Sequence, residues 1–345
     1  MIQGTRNKQI DALNGIGILL VVMGHYDNQM NSQAWYDWIY SFHMPLFFIT
    51  GGYLWGIKRE KYLKDKFVSY CKRRVKHLLV PYAVFCGLSF LVSSVLMPIY
   101  RGNFHLLTLD ETITVIYSTI LGGGYLTNDR IRNFPLWFLQ LYFLAGLVFY
   151  LIRWVEKRNV KIVCAVMTIL VISIRPFQMI MKNVLGGRPP YHINVLPVAL
   201  VFMECGYLYY RYFACNSEKI CCVLKNKKNY IACCLMTVGI SVSYVFPSSI
   251  ADLRSYWYIV GALATVGAFY LMLYNFQPKI LCIWGESSLL ILGIHALVIG
   301  FFRNFLQPYL FPKWAGAFLY FIDSMIIMYV LTCIVLIWNK FVHRE

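Results

Sequence analysis

Residues 10–29 read IDALNGIGILLVVMGHYDNQ. Ile18 to Met23 is uninterrupted apolar sequence, the composition of a helix that crosses a bilayer. Yet the stretch opens on Asp11, carries Asn14 one turn later and closes on His25. At about 100° per residue, Asn14 and His25 share a face to within roughly 20°, and Asp11 joins them to within about 40°. The rise from residue 14 to residue 25 is about 16 Å, half the thickness of the hydrocarbon layer. This spacing places Asp11 near the inner surface, Asn14 just inside it and His25 toward the outer side. Gly15, Gly17 and Gly24 permit close approach of a neighbouring helix or a ligand. Ionisable groups in a membrane helix are costly and mark function by default. The competing reading makes Asp11 the helix N-cap and leaves His25 as an interfacial residue.

The rest of the chain fits the same setting. Of its 345 residues, 59% are hydrophobic and only 14% are charged. Mean hydropathy is +0.58, and a soluble chain would carry about 25% charged residues. The expected fold class is all-α, a polytopic integral membrane protein forming one transmembrane domain over residues 1–345. Ten spans are predicted near 10–26, 38–57, 78–97, 136–152, 162–177, 194–213, 230–247, 257–276, 287–305 and 314–338. The first lacks a small-residue cleavage site and is read as a retained span, not a signal peptide. With the N-terminus in the cytoplasm, and span-end residues assigned to the nearer side, 23 of the 32 Lys and Arg fall inside and 9 outside. The positive-inside rule then makes both termini cytoplasmic. The net charge of +17 therefore reports topology and lipid contact, and no nucleic-acid partner is expected. None of the 11 cysteines falls in a predicted outer loop, and no C-x-x-C spacing occurs. Neither a disulfide framework nor a metal site is expected. The longest outer loop, about 98–135, contains Gly122-Gly123-Gly124-Tyr125 and reads as a flexible connection.

Further histidines accompany His25. The second span, WIYSFHMPLFFITGGYLWG, carries His43 near its outer start, with Pro45 in its first turn. The short connection brings His25 and His43 to a similar depth, compatible with a relay, a base with its orienter, or an unrelated pair. Neutral imidazole accepts a proton near pH 7. In the ninth span, GESSLLILGIHALV sets Ser288 and His295 seven residues apart on one face. His295 reads equally well as a packing residue or a catalytic one. Glu204 and Asp323 are further carboxylates within spans, and each needs a polar partner.

Between the second and third spans, KREKYLKDKFVSYCKRRVKHLLVPY sets nine Lys and Arg against Glu60 and Asp65. Most of these charges anchor the chain on anionic lipid. Arg73, Arg74, Lys76 and His77 crowd the mouth of the third span, and guanidinium groups of that kind pair bidentately with phosphate.

In order and spacing, IDALNGIGILLVVMGH, SFHMPLFFITGGYL, KRRVKHLLVPY, PLWFLQLYF and GESSLLILGIH resemble the membrane-bound acyltransferase-3 family, nearest its sugar and polysaccharide O-acetyltransferase branch. The resemblance runs from Arg6 to the tenth span. It implies about ten spans and transfer of an acyl group, usually acetyl, from cytoplasmic acetyl-CoA to a hydroxyl of a glycan or small acceptor at the outer face. It makes His25 the essential histidine and Asp11 the usual acid of that helix. It assigns the basic motif to the CoA end of the donor and Trp137 to a recurring aromatic position. Asn14 stands where members usually carry Arg or Lys, with Arg6 or Lys8 as substitutes. The Arg-x-x-Arg pattern is met only as Arg74-x-x-His77 or Arg73-x-x-Lys76.

The expected chemistry is acyl transfer. His25 is the general base, His43 or Asp323 its partner, and Asn14, Arg73, Arg74, Lys76, His77 and Trp137 the donor contacts. A bacterial inner-membrane location follows from the resemblance and the loop charges. The alternatives are a proton-coupled carrier or flippase, which intramembrane His, Asp and Glu also suit, and an inactive acyltransferase-like scaffold.

Overall fold

A computed structural model of the chain describes residues 7–26, 33–122, 131, 133–185, 189–214, 227–306 and 317–342. Most of these residues are helical, and the described residues contain no strand beyond an isolated bridge between Ser249 and Asp252. The elements are α1 (Lys8–Tyr26), α2 (Gln33–Ile57), α3 (Arg59–Lys64), α4 (Phe67–Tyr100), α5 (Leu109–Leu121), α6 (Phe134–Glu156), α7 (Val160–Leu185), α8 (Pro190–Ala214), α9 (Lys228–Val245), α10 (Trp257–Met272), α11 (Lys279–Glu286), α12 (Ser288–Phe301) and α13 (Ala317–Val342). Among the described residues, six runs are long and apolar enough to cross a membrane: α4, α6, α7, α8, Ser288–Phe305 and Phe321–Phe341. The chain forms two compact units, residues 1–56 with 204–345 and residues 57–203.

In the first unit α1 is the core. Its buried residues, among them Ile10, Leu13, Ile18, Val21 and Val22, point in every direction around the axis, as expected of a helix enclosed by others. Asn7 caps it, with Oδ1 accepting from the backbone N–H groups of Gln9 and Ile10 at 3.1 and 3.2 Å. Asp11 is therefore not the N-cap. The helix begins at Lys8, two residues before the expected span, and Asn7 satisfies its first donors. Helix α11 crosses α1 at backbone distance. A Cβ on Gly15 would meet the Leu281 carbonyl, and one on Gly285 would meet the Asp11 carbonyl. In lipid, where apolar burial gives helices little reason to associate, such close approach supplies the attraction.

α2 begins at Gln33, five residues before the expected start, so Pro45 lies well inside it and not in the first turn. Its missing N–H leaves the Ser41 carbonyl without a helical donor. The helix nevertheless continues to Ile57.

In the second unit, α7 exposes Ile162, Val166, Ile169, Ile172, Ile180 and Val184. Steps of three, four and eight residues make these one long apolar stripe, which suits contact with lipid tails. Arg153 is fully buried in α6, pairs with Glu156 at 3.3 Å and lies over the Phe149 ring. The expected loop 98–135 contains the amphipathic α5. Its start is a capping box, Thr108 with Glu111, a signal present in the sequence as Thr-x-x-Glu. The glycines at 123–124 and Tyr125 lie outside the described residues.

Candidate active site

The first unit gathers three histidines from three helices. His25 ends α1, His43 lies in α2 and His295 in α12. The His25 and His295 rings have centroids 5.3 Å apart and planes inclined by 34°. His43 and Arg303 lie within electrostatic reach of His25. Tyr40 links the two histidine-bearing helices. Its ring meets His43 edge-on at 4.8 Å and His25 at 6.3 Å, and its other face stacks on Tyr36 at 4.0 Å.

Backbone carbonyls fix two of the three rings. His43 Nδ1 lies 2.7 Å from the Ile39 carbonyl oxygen, and His295 Nδ1 lies 3.1 and 2.9 Å from those of Ile291 and Leu292. A carbonyl oxygen only accepts, so each Nδ1 carries the proton. The neutral rings are thereby held as Nδ1–H tautomers. His43 and His295 are buried, whereas His25 is half-buried. Among the described residues no group of three or more His, Cys, Asp or Glu side chains is arranged to hold a metal ion.

A second set braces the end of α1. The Tyr26 hydroxyl donates to Asp323 Oδ2 at 2.5 Å, both residues being buried. Arg303 donates to the Tyr26 carbonyl, and its guanidinium carbon lies 5.3 Å from the centroid of the Tyr26 ring. That carbonyl is one of those a helix C-terminus leaves without a donor, so the cation is well placed against the helix dipole. Asp323 is thus the partner of Tyr26 and not of a histidine. Arg303 follows α12 in a π-helical turn, Phe302–Leu306, a distortion common at functional sites.

The other expected residues lie elsewhere. Asp11 and His25 are fourteen residues apart on one unbroken helix, about 21 Å by helical rise. The structure therefore does not bring this acid to the histidines. Asp11 is buried where α11 crosses. Asn14 accepts from the Thr50 hydroxyl at 2.8 Å. Glu204 is buried in α8. Arg6 lies outside the described residues.

In the second unit the basic motif is not uniform. Arg73 is paired with Asp65 at 2.6 Å. Arg74 turns inward, donates to the Tyr142 carbonyl at 2.6 Å and lies over the Tyr142 ring at 5.0 Å. It has no carboxylate within ion-pair distance among the described residues, and its Nε is buried without a partner. A Cβ on Gly146 would strike its guanidinium. Lys76 and His77 are exposed on a π-helical turn. Trp137 is buried against His192 at 4.4 Å, ring edge to ring face. Tyr191 and His192 have φ of 56° and 49°, an uncommon backbone for residues other than glycine.

Sequence reasoning singled out the histidines but not Tyr26, Tyr40 or Arg303. Tyr26 follows His25 directly, and neighbouring residues point about 100° apart, so a search along one face passes over it. Tyr40 sits three residues before His43, the spacing that shares a helix face.

A chain with this many long apolar helices is a multi-pass membrane protein. Residues 7–335 match the acyltransferase-3 family, an acyltransferase domain, and the chain belongs to that family. No curated protein matches the chain significantly.

Proposed function

We propose that this protein transfers an acetyl group from cytoplasmic acetyl-CoA to a hydroxyl of a cell-surface glycan or its precursor, with His25 as general base. The observation that carries this reading is His25 itself. Its ring is half-buried and packed on His295, and no side chain or carbonyl among the described residues occupies its nitrogens. It is a base with its lone pair unspent, in a chain of an acyltransferase family.

The donor supplies an acyl group activated as a thioester. His25 takes the proton of the attacking hydroxyl as the new C–O bond forms. The C–S bond breaks, and the same proton passes to the departing thiolate. General-base help of this kind is worth typically about 10²–10⁴-fold. Arg303 is the nearby cation that supports negative charge developing on the carbonyl oxygen. Arg74, with Lys76, His77 and the paired Arg73, is assigned to the donor's phosphates. Asn14 is assigned to the donor's arm, on the face of α1 that leads to His25. Ten spans, with both termini in the cytoplasm of a bacterium, complete the reading. They put acyl-CoA and acceptor on opposite sides of the inner membrane.

The test is turnover of acetyl-CoA by purified protein in lipid, wild type beside His25→Ala, with bacterial glycan extract as acceptor. Thiol release and labelled glycan in the wild type alone are expected. Equal activity in both proteins removes His25 from the chemistry. Movement of glycan across vesicles without CoA makes the protein a carrier.

A further inference from the structure

His295 is fully buried, its Nδ1–H is committed to two carbonyl oxygens, and its Nε2 is a buried acceptor with no hydrogen-bond partner. Burying such an acceptor unpaired is costly, so an occupied state is expected somewhere in the working cycle. The ring beside it is His25. Of the polar groups around His25, His295 is the imidazole whose ring packs on it. His43 meets Tyr40, the Tyr40 hydroxyl reaches the Gly24 carbonyl, Arg303 only donates, and Asp323 gives one oxygen to Tyr26 while its Oδ1 is buried without a partner.

We propose that His295 is the positioning residue of this site, accepting a hydrogen bond from a His25 N–H through Nε2. The proposal rests on the reading of His25 as the base. The bond fixes which His25 nitrogen keeps its proton and turns the other, bare nitrogen to the acceptor hydroxyl. When His25 takes up the hydroxyl proton, the charge is shared with a second imidazole across that bond. As the thiolate receives the proton, both rings return to neutral, and Nδ1–H of His295 never leaves its carbonyls. No hydrogen bond joins the rings at rest. His25, which nothing else holds, makes it by a small rotation, as catalytic contacts often tighten only with substrate present. A neutral orienter suits the setting, because a carboxylate beside His25 would bring a charge needing its own partners in a low-dielectric interior.

The experiment compares His295→Gln, His295→Asn and His295→Leu with wild type and His25→Ala, in lipid, by kcat and KM for acetyl-CoA. A positioning role and a structural role order the amides oppositely. Gln offers an acceptor oxygen at the depth of Nε2. Asn keeps only the donor near Nδ1, which suffices for packing. Gln within about tenfold of wild-type kcat, with Asn and Leu down on the order of 10²-fold or more at unchanged KM, is expected for a residue that orients a base. Asn equal to or better than Gln overturns the proposal, as does Leu within threefold of wild type while His25→Ala is inactive. A fully active His25→Ala instead sinks the reading beneath it. An arm independent of turnover uses nitrogen NMR of histidine-labelled protein. The His25 resonances are expected to move in His295→Asn and to stay near wild type in His295→Gln. Their indifference to both overturns the contact.

Discussion

The histidine cluster of the first unit and the basic motif of the second are both polar sites in apolar surroundings, and they are built in opposite ways. In the first, no ring needs to be charged at rest. Two imidazoles are held by their own helix backbones, and the nearby acid, Asp323, is bound to a tyrosine. In the second, the groups are permanent cations in graded states of compensation. Arg73 is paired with Asp65, Arg74 has a carbonyl and an aromatic face, and Lys76 is exposed. A group that must exchange a proton has to be neutral, with fixed neighbours to orient it. A group that must hold phosphate has to stay charged and keep donors unspent. These are the constructions that the proposed roles, proton exchange in the first region and phosphate binding in the second, call for.

The largest effect that can break this comparison is at His25. His25→Ala is expected to lower kcat about 10²–10⁴-fold with KM for acetyl-CoA nearly unchanged. A loss confined to KM makes His25 a binding residue and erases the distinction. Arg74→Ala is expected to do the reverse. It should raise KM for acetyl-CoA about 10- to 100-fold, the scale of one hydrogen bond to a charged group, with kcat held. Arg74→Lys should not restore it, because a point ammonium cannot present the planar fork. Arg73→Ala should be milder, since Asp65 already occupies that guanidinium. Equal effects at the two arginines would mean that the pairing in the resting structure does not govern donor binding.

How far each region was legible in the sequence follows from the range of its contacts. The polar stripe of α1 obeys one helical period, so Asp11, Asn14 and His25 could be read together. The same rise keeps Asp11 about 21 Å from His25, and a shared face is not a shared site. The ring packed on His25 comes from a helix 270 residues later. No spacing rule reaches that far, and the sequence named His43 or Asp323 as the partner of His25, with His295 read equally as a packing residue or a catalytic one. Asp323 went to Tyr26 because a phenol donor lay within 2.5 Å, a matter of side-chain geometry. Helix α5 was legible and overlooked. Its Thr108–Glu111 capping box stood in a segment read only for its glycines.

Tyr26→Phe sharpens the comparison through stability. Removing the hydroxyl leaves a buried carboxylate without its donor, at a cost of roughly 1–3 kcal/mol. The melting temperature in lipid or detergent should fall, and Asp323→Asn in the same chain should recover part of the loss. A loss that Asp323→Asn deepens would show that the acid has a second obligation at this site.

The smallest expected effect lies at a glycine. Both regions use glycine to admit a close neighbour, but the neighbours differ. At Gly15 the intruder is the backbone of Leu281, whereas at Gly146 it is the end of the Arg74 side chain. A backbone cannot step aside, so Gly15→Ala should destabilise the first unit by about 1–3 kcal/mol, the usual cost of overpacking. A flexible guanidinium can move, so Gly146→Ala should change the melting temperature little. The displaced Arg74 would lose its seat over Tyr142, and KM for acetyl-CoA should rise severalfold at constant kcat. If Gly146→Ala leaves KM untouched while Arg74→Ala raises it, the charge alone binds the donor. If both raise it, the orientation imposed by Tyr142 and Gly146 is part of the binding site, and the second region is as preorganised as the first.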